Sequence, residues 1–205
     1  MYDFTYHRPS SLDDAAVAIK GAGDGTFLAG GQTLLPILKL RLANPSDVVD
    51  LGDIAELKGI TVDGDTVTIG AMTPHAEVAG SADVCAKIPA LADLAESIGD
   101  LQVRNRGTIG GSIANNDPAA DYPAAVVGLG ATVHTNARTI AADDFFTGLL
   151  ETALNDGEII TAVSFPVPDK AAYQKFGNPA SRYAIVGVML SSGSAGVRVA
   201  ITGAG

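Results

Sequence analysis

Apolar residues recur along this chain with two periods. In "SSLDDAAVAIKGAG", Leu12, Ala15, Ala16 and Ile19 share one face at helical spacing. Ser11 caps that helix with Asp14 three residues on, and Gly21 ends it. "TLLPILKLRL" repeats the spacing in Leu34, Ile37, Leu38 and Arg41; Pro36 fits only a first turn, which sets the start near Thr33. "PHAEVAGSADV" and "PALADLAESIG" read as two more helices, and "YPAAVVGLG" as a short Ala-rich one. Alternation marks the strands. "GITVDGDTVTIG" is a hairpin around Asp63-Gly64, a pair suited to a type I′ turn. "YDFTYHRP" reads as an edge strand ended by Pro9. "GTFLAGG", "SDVVDL", "ATVHT", "RTIAADDFF" and "GEIITAVSFPVP" read as strands and connections. "AAYQKFGN", "SRYAIVGVML" and "AGVRVAITGAG" close the chain as strands.

Helices and strands mix without strict βαβ alternation, which predicts an α+β fold. Boundaries are expected near Asn44-Pro45 and between Pro166 and Asp169, giving units 1–44, 45–168 and 169–205. No helix follows the last three strands, so the chain is expected to be a fragment or to have its last domain cut short.

Composition narrows the function classes. The chain has 205 residues, 47% of them hydrophobic and only 5% aromatic, so its core must rest on Ala, Val, Ile and Leu. A formal charge of −10 argues against nucleic-acid or anionic-membrane binding. No run has the length of a membrane span, and the start lacks the basic and apolar regions of a signal peptide. The single cysteine, Cys85, forms no internal disulfide and cannot hold an iron–sulfur cluster, which takes about four thiolates. A reducing, cytoplasmic setting is expected.

Two passages carry candidate chemistry. "LAGGQT" at 28–33 and "TIGG" at 108–111 each read as a short apolar strand ending in Gly-Gly, with polar residues after it. Glycine permits positive φ and close approach, and successive N–H groups at such a turn cup anionic oxygens. At the first turn a helix start adds its free N–H groups. Two such turns suit the grip of one diphosphate, with Gly110 leaving it room against the backbone. Asn and Asp side chains downstream suit ribose or ribityl hydroxyls. Gly-Gly after a strand is in most proteins only a turn, and neither a Rossmann fingerprint nor a P-loop is present. Spacing alone therefore reaches no further than a phosphate or nucleotide cradle. His7, His75 and His134 share no ligand spacing and read as surface or loop residues. Arg104 and Arg106 read as solvated, with phosphate or partner contact as the alternative. Cys85 reads as packed in a helix, and Asp143, Asp144, Phe145 and Phe146 as structural. No nucleophile or metal site is visible.

"LAGGQTLLPILKLRLANPSDVVDL" and "VRNRGTIGGSIANNDPAADYPAAVVGLGATV" together resemble the FAD-binding medium subunit of molybdenum hydroxylases. The carbon monoxide dehydrogenase medium subunits are near, and the xanthine dehydrogenase FAD domain is more distant. The resemblance covers essentially the whole chain. It implies a two-lobed α+β FAD-binding fold of the vanillyl-alcohol-oxidase/CO-dehydrogenase flavoprotein type, followed by a C-terminal sheet domain that is truncated here. Ala29, Gly30, Gly31, Gln32 and Thr33 match the first diphosphate loop, with Thr33 where the family often has Ser. Thr108, Ile109, Gly110, Gly111 and Ser112 match the second. Asp117 and Asp121 match acidic positions near the cofactor's polar chain. Leu51 and Ile109 resemble apolar contacts to its rings. Lys175 and Tyr183 fall where the family places a basic and an aromatic residue near the isoalloxazine.

The implied function is electron transfer within a hetero-oligomer. A molybdenum-cofactor large subunit oxidises the substrate, a [2Fe–2S] small subunit relays electrons, and FAD in this subunit passes them to an external acceptor. Two readings stay open beside it: a free-standing flavin oxidase, and a flavin- or nucleotide-binding interaction module without turnover.

Overall fold

The computed structural model describes residues 1–194 and 196–204. Its first layer is a small parallel sheet. Strand β1 (Thr5–His7) leads into α1 (Leu12–Gly21), β2 (Gly25–Leu28), α2 (Leu34–Lys39) and β3 (Asp47–Asp50). The strand order is β1-β3-β2, both pairings parallel, so β1 is the expected edge strand and α1 serves as its crossover. The Ser11 side chain accepts from Asp14 N at 3.2 Å, as its spacing predicts. The central strand β3 lies beyond Asn44-Pro45 in sequence. Ala15, Val49, Leu51, Ile54 and Leu57 form a small core under this sheet.

A 3-10 turn (Ala55–Leu57) leads to the hairpin β4 (Ile60–Asp63) and β5 (Thr66–Gly70). Asp63 pairs with Thr66, so the turn centres on Gly64-Asp65, one residue later than expected. Only Gly64 of that pair has positive φ, at 55°, whereas type I′ needs both. Helices α3 (His75–Gly80), α4 (Ala82–Lys87), α5 (Pro89–Glu96), α6 (Leu101–Arg104), α7 (Ile109–Asn115) and α8 (Asp121–Gly128) follow. The segment read as one helix over "PHAEVAGSADV" is two, because Ser81 stays extended and caps α4 through Val84 N.

The chain returns through β6 (Thr132–Thr135), β7 (Thr139–Ala141), α9 (Ala142–Phe145), the short β8 (Phe146–Gly148) and β9 (Glu151–Thr152), and β10 (Ile160–Pro166). The second sheet runs β4-β5-β10-β6-β7, antiparallel throughout. It packs on α3, α5, α7 and α8 around Leu91, Leu94, Ile109, Tyr122, Val133, Val163 and Phe165. Finally β11 (Lys170–Gly177), β12 (Ala184–Gly193) and β13 (Gly196–Thr202) form an antiparallel meander against α8 and α5. The architecture is α+β, as the pattern predicts. No helix among the described residues is long and apolar enough to cross a membrane. Cys85 is exposed on α4 rather than packed.

Candidate functional site

The first glycine passage forms as read. After β2 the chain turns through Gly31 at φ +76°, and α2 starts beyond Thr33. The amides of Gly30, Gly31, Gln32 and Thr33 have no acceptor among the described residues, and the Thr33 hydroxyl makes no cap bond. Successive N–H groups that are free and lie on one loop make an anion cradle. Because α2 has only six residues, these amides rather than a long helix dipole carry the attraction.

The second passage differs from its reading. "TIGG" is not a strand entering a turn; it opens α7, and Thr108 is the N-cap, its side chain accepting from Gly111 N at 3.2 Å. The neighbouring amides are already bonded. Ile109 N donates to Thr73 O at 3.3 Å, Gly110 N to Ala71 O at 2.8 Å and Ser112 N to Thr108 O at 3.0 Å. A Cβ on Gly110 would lie 2.6 Å from the Ala71 Cβ and 2.7 Å from its carbonyl oxygen. Gly110 thus lets α7 press on Ala71 at the end of β5, and its own N–H is taken by the Ala71 carbonyl. Gly111 faces the first loop instead, with Ala29 Cβ 3.1 Å from where its own Cβ would be.

The two passages nevertheless meet. A Cβ on Gly30 would run into the carbonyl of Arg106 and Gly107 Cα. A cleft of about 540 Å³ opens at this junction. Of the expected residues, Ala29, Gly30, Gly31, Gln32, Thr33, Leu51, Thr108, Gly110, Gly111, Ser112, Asp117, Asp121 and Tyr183 border it. Phe27, Ile159 and Leu51, which share one hydrophobic cluster, give the cleft an apolar wall. Tyr183 also borders it, beside Arg182, whose guanidinium donates to Gly99 O at 3.0 Å. Burial, and then the carboxylates of Asp117 and Asp121, push the Tyr183 hydroxyl above its usual pKa.

Two expected residues lie elsewhere. Ile109 is fully buried in the main core, because as the first residue of a helix it points to the packed face. Lys175 does not border the cleft; its ammonium is 2.9 Å from Asp121 Oδ2. The other Asp121 oxygen accepts from Tyr173 OH at 2.5 Å, so this carboxylate is largely occupied by the protein. Asp117 uses one oxygen to hold Ala119 N at 2.9 Å. Asn116, at φ +44°, ends α7 and donates to Gly148 O and Glu151 O. The polar passage after α7 therefore serves first to close a helix and shape a loop.

Several buried residues in or near the cleft escape a sequence reading. His75 is buried and borders the cleft, not the surface. Arg104 is also buried, bonded to Glu96 Oε1 at 2.9 Å and to the carbonyls of Ile98 and Gly99; it is not solvated. Glu158 borders the cleft, its carboxyl pKa lowered to about 2, chiefly by the Arg138 guanidinium. None has a local signal, since burial is decided by distant segments.

Residues 2–168 match the family described as the FAD binding domain in molybdopterin dehydrogenase. The chain belongs to that family. It is 43% identical over 189 residues to the carbon monoxide dehydrogenase medium chain of Afipia carboxidovorans, covering 88% of this chain and 66% of the relative. It is 38% identical to the glyceraldehyde dehydrogenase medium chain of Sulfolobus acidocaldarius, covering 92% and 69%. Among solved structures, a carbon monoxide dehydrogenase from Hydrogenophaga pseudoflava that lacks the Mo-pyranopterin moiety superposes with a TM-score of 0.91 at 38% identity. That match covers 97% of this chain and 74% of the other. The chain thus spans about two thirds to three quarters of the length of these relatives. These likenesses bear out the expected family, its α+β fold and its FAD cofactor. The free amides of the first loop and the apolar wall beside Leu51 fit such a group.

Proposed function

We propose that this chain is the FAD-carrying subunit of a molybdenum-containing hydroxylase. It takes electrons from a [2Fe–2S] small subunit and passes them to an external acceptor, while a molybdenum-cofactor large subunit oxidises the substrate. The observation that carries this reading is the run of unpartnered amides from Gly30 to Thr33 on the wall of the cleft. An acidic protein needs such dipoles to hold a diphosphate without a cluster of Lys and Arg. FAD, when bound, supplies the redox chemistry.

The chain's own part is to bind and orient. Gly30, Gly31, Gln32 and Thr33 hold the diphosphate through main-chain N–H groups. The Ser112 hydroxyl and the free oxygen of Asp117 face the polar chain. Leu51, with Phe27 and Ile159, excludes water from one ring system, and Tyr183 flanks the other end. Asp121 and Lys175 act indirectly, by anchoring β11 to the start of α8 beside the cleft.

The test is to purify the chain, measure its flavin content, and add reduced partner subunits. Yellow protein that bleaches only with those subunits is the expected result. Bleaching by a small organic substrate alone points to a free-standing oxidase. Colourless protein that still binds the partners points to an interaction module.

A further inference from the structure

Helix α2 turns part of itself to the cleft, where Leu34 and Ile37 border the space, and buries Leu38. The residues just past its end do the opposite. All four side chains from Lys39 to Leu42 are exposed, Leu40 at 71% and Leu42 at 73%. A single exposed leucine is ordinary, but here two of them bracket a cation. The Arg41 guanidinium lies 5.4 Å from the centroid of the Tyr2 ring, which is itself exposed, so a cation–aromatic pair completes the patch.

The backbone gives this patch a set shape. Arg41 N donates to Leu38 O at 3.1 Å, and Leu42 N donates to Ile37 O at 3.0 Å. The two bonds make a Schellman motif, whose left-handed residue is most often glycine. Here that residue is Arg41, at φ +60°, a conformation that a side chain disfavours. Strain of this kind clusters at functional sites. In the same motif the next residue commonly folds back on the helix. Leu42 occupies that position and stays exposed instead. The turn thus gives up stability while Leu40, Arg41 and Leu42 face outward.

Charge and position narrow the partner. The chain carries a formal charge of −10, yet the charged side chains of the patch, Lys39 and Arg41, are cations. Neither makes an ion pair among the described residues. Helix α2 starts at the cradle loop and has six residues, about 9 Å at 1.5 Å per residue. The patch is therefore one short helix away from the amides of Gly30 to Thr33. Electron transfer weakens steeply with distance, so the subunit that delivers electrons must dock close to the flavin. We propose that Leu40, Arg41 and Leu42, with Lys39 and Tyr2, form the docking site for the [2Fe–2S] small subunit. That subunit presents apolar pockets to the leucines and carboxylates to the two cations. Arg and Tyr at the centre suit such a role, since both are enriched at binding hot spots. The inference rests on the electron-transfer reading above and adds the place where the electrons enter.

The experiment titrates the flavin-loaded chain with the purified [2Fe–2S] small subunit by calorimetry, and follows flavin bleaching after mixing with that subunit reduced beforehand. The double variant Leu40→Ser, Leu42→Ser is expected to bind about a hundredfold more weakly, about tenfold for each leucine contact, with flavin content and circular dichroism unchanged. Arg41→Gly relaxes the turn, so it should melt no lower than the wild type and still bind about tenfold more weakly. Wild-type binding should weaken with salt, and binding by Arg41→Gly should weaken less. Val17→Ser on α1, equally exposed at 71%, is the control and should bind as the wild type does. Wild-type affinity in the folded double variant, or in Arg41→Gly, overturns the inference and leaves the electron-transfer reading standing. So does an equal loss in Val17→Ser, or a wild-type dimer that the double variant breaks, which would assign the patch to a second copy. A wild type that holds FAD but neither binds the small subunit nor bleaches with it overturns the electron-transfer reading, and this inference with it.

Discussion

Lys175 Nζ lies 2.9 Å from Asp121 Oδ2, and both side chains are more than nine-tenths buried. With Tyr173 on the second oxygen and Ser97 O accepting from the same ammonium at 3.2 Å, the pair ties β11 to the start of α8 and the end of α5. Two residues whose family positions suggest cofactor contact are thus bonded to each other at the edge of the cleft.

Removing one partner of this pair should be costly. Lys175→Met leaves a buried carboxylate without its counter-charge, and a loss of about 3–5 kcal/mol is expected in urea melts. The double variant Lys175→Met, Asp121→Asn should recover much of that loss, because no unpaired charge remains. Additive losses would show that the two side chains act independently.

The glycines of the two passages should behave differently. Gly31→Ala places a side chain at φ +76° and within 2.9 Å of Leu35 Cδ1, a strain of about 1–2 kcal/mol at the cradle itself. It should lower flavin affinity in a protein that still folds. Gly110→Val drives its branches into the Ala71 backbone, so loss of folded protein is expected instead. A folded, flavin-free Gly110→Val would contradict the packing described for α7.

How much of this was legible in the sequence follows from where each decision is made. The cap of α1 by Ser11 and the β4–β5 hairpin rest on neighbours a few residues apart, and both are readable. The first loop is readable because Gly-Gly ends an apolar run before a periodic one. The second is misread because Gly110 and Gly111 are poor helix formers; α7 starts there only because Gly110 can press on Ala71, some forty residues earlier. His75, Arg104 and Glu158 carry no mark of burial in their own segments, since the elements covering them come from elsewhere. Cys85 fails in the opposite way: its Ala-rich surroundings suggest packing, yet α4 presents it to solvent.

Glu158, which borders the cleft, carries a prediction about acid stability. Its oxygens accept from Thr135 Oγ1 at 2.7 Å, Arg138 Nε at 3.0 Å and Asn155 N at 2.8 Å. Its carboxyl is held down to about 2 from an ordinary 4.5, so the stability it contributes is complete above 4.5 and is lost as pH falls towards 2. Glu158→Gln should remove that acid dependence and cost about 1–3 kcal/mol at neutral pH. Hydrogen exchange should quicken around Asn155. An unchanged acid profile would mean that the bonds to Glu158 contribute nothing to folding.

His75 titrates in a different window, so the two effects separate. Its folded pKa, about 4, lies below the unfolded value of 6.5, and the unfolded chain therefore binds more protons between those limits. Stability must rise with pH across that window. The flavin-free protein is complete in this contribution above 6.5 and loses up to about 3 kcal/mol as pH falls to 4, at about 1.4 kcal/mol per unit. Urea melts of the stripped protein at pH 7 and near pH 5 should show most of that loss, and His75→Leu should show little of it. A leucine of similar bulk fills the space without a titrating group, so it separates the charge from the packing. If the variant loses stability with acid as steeply as the wild type, the imidazole is not the group being protonated, and the burial argument for a neutral His75 fails.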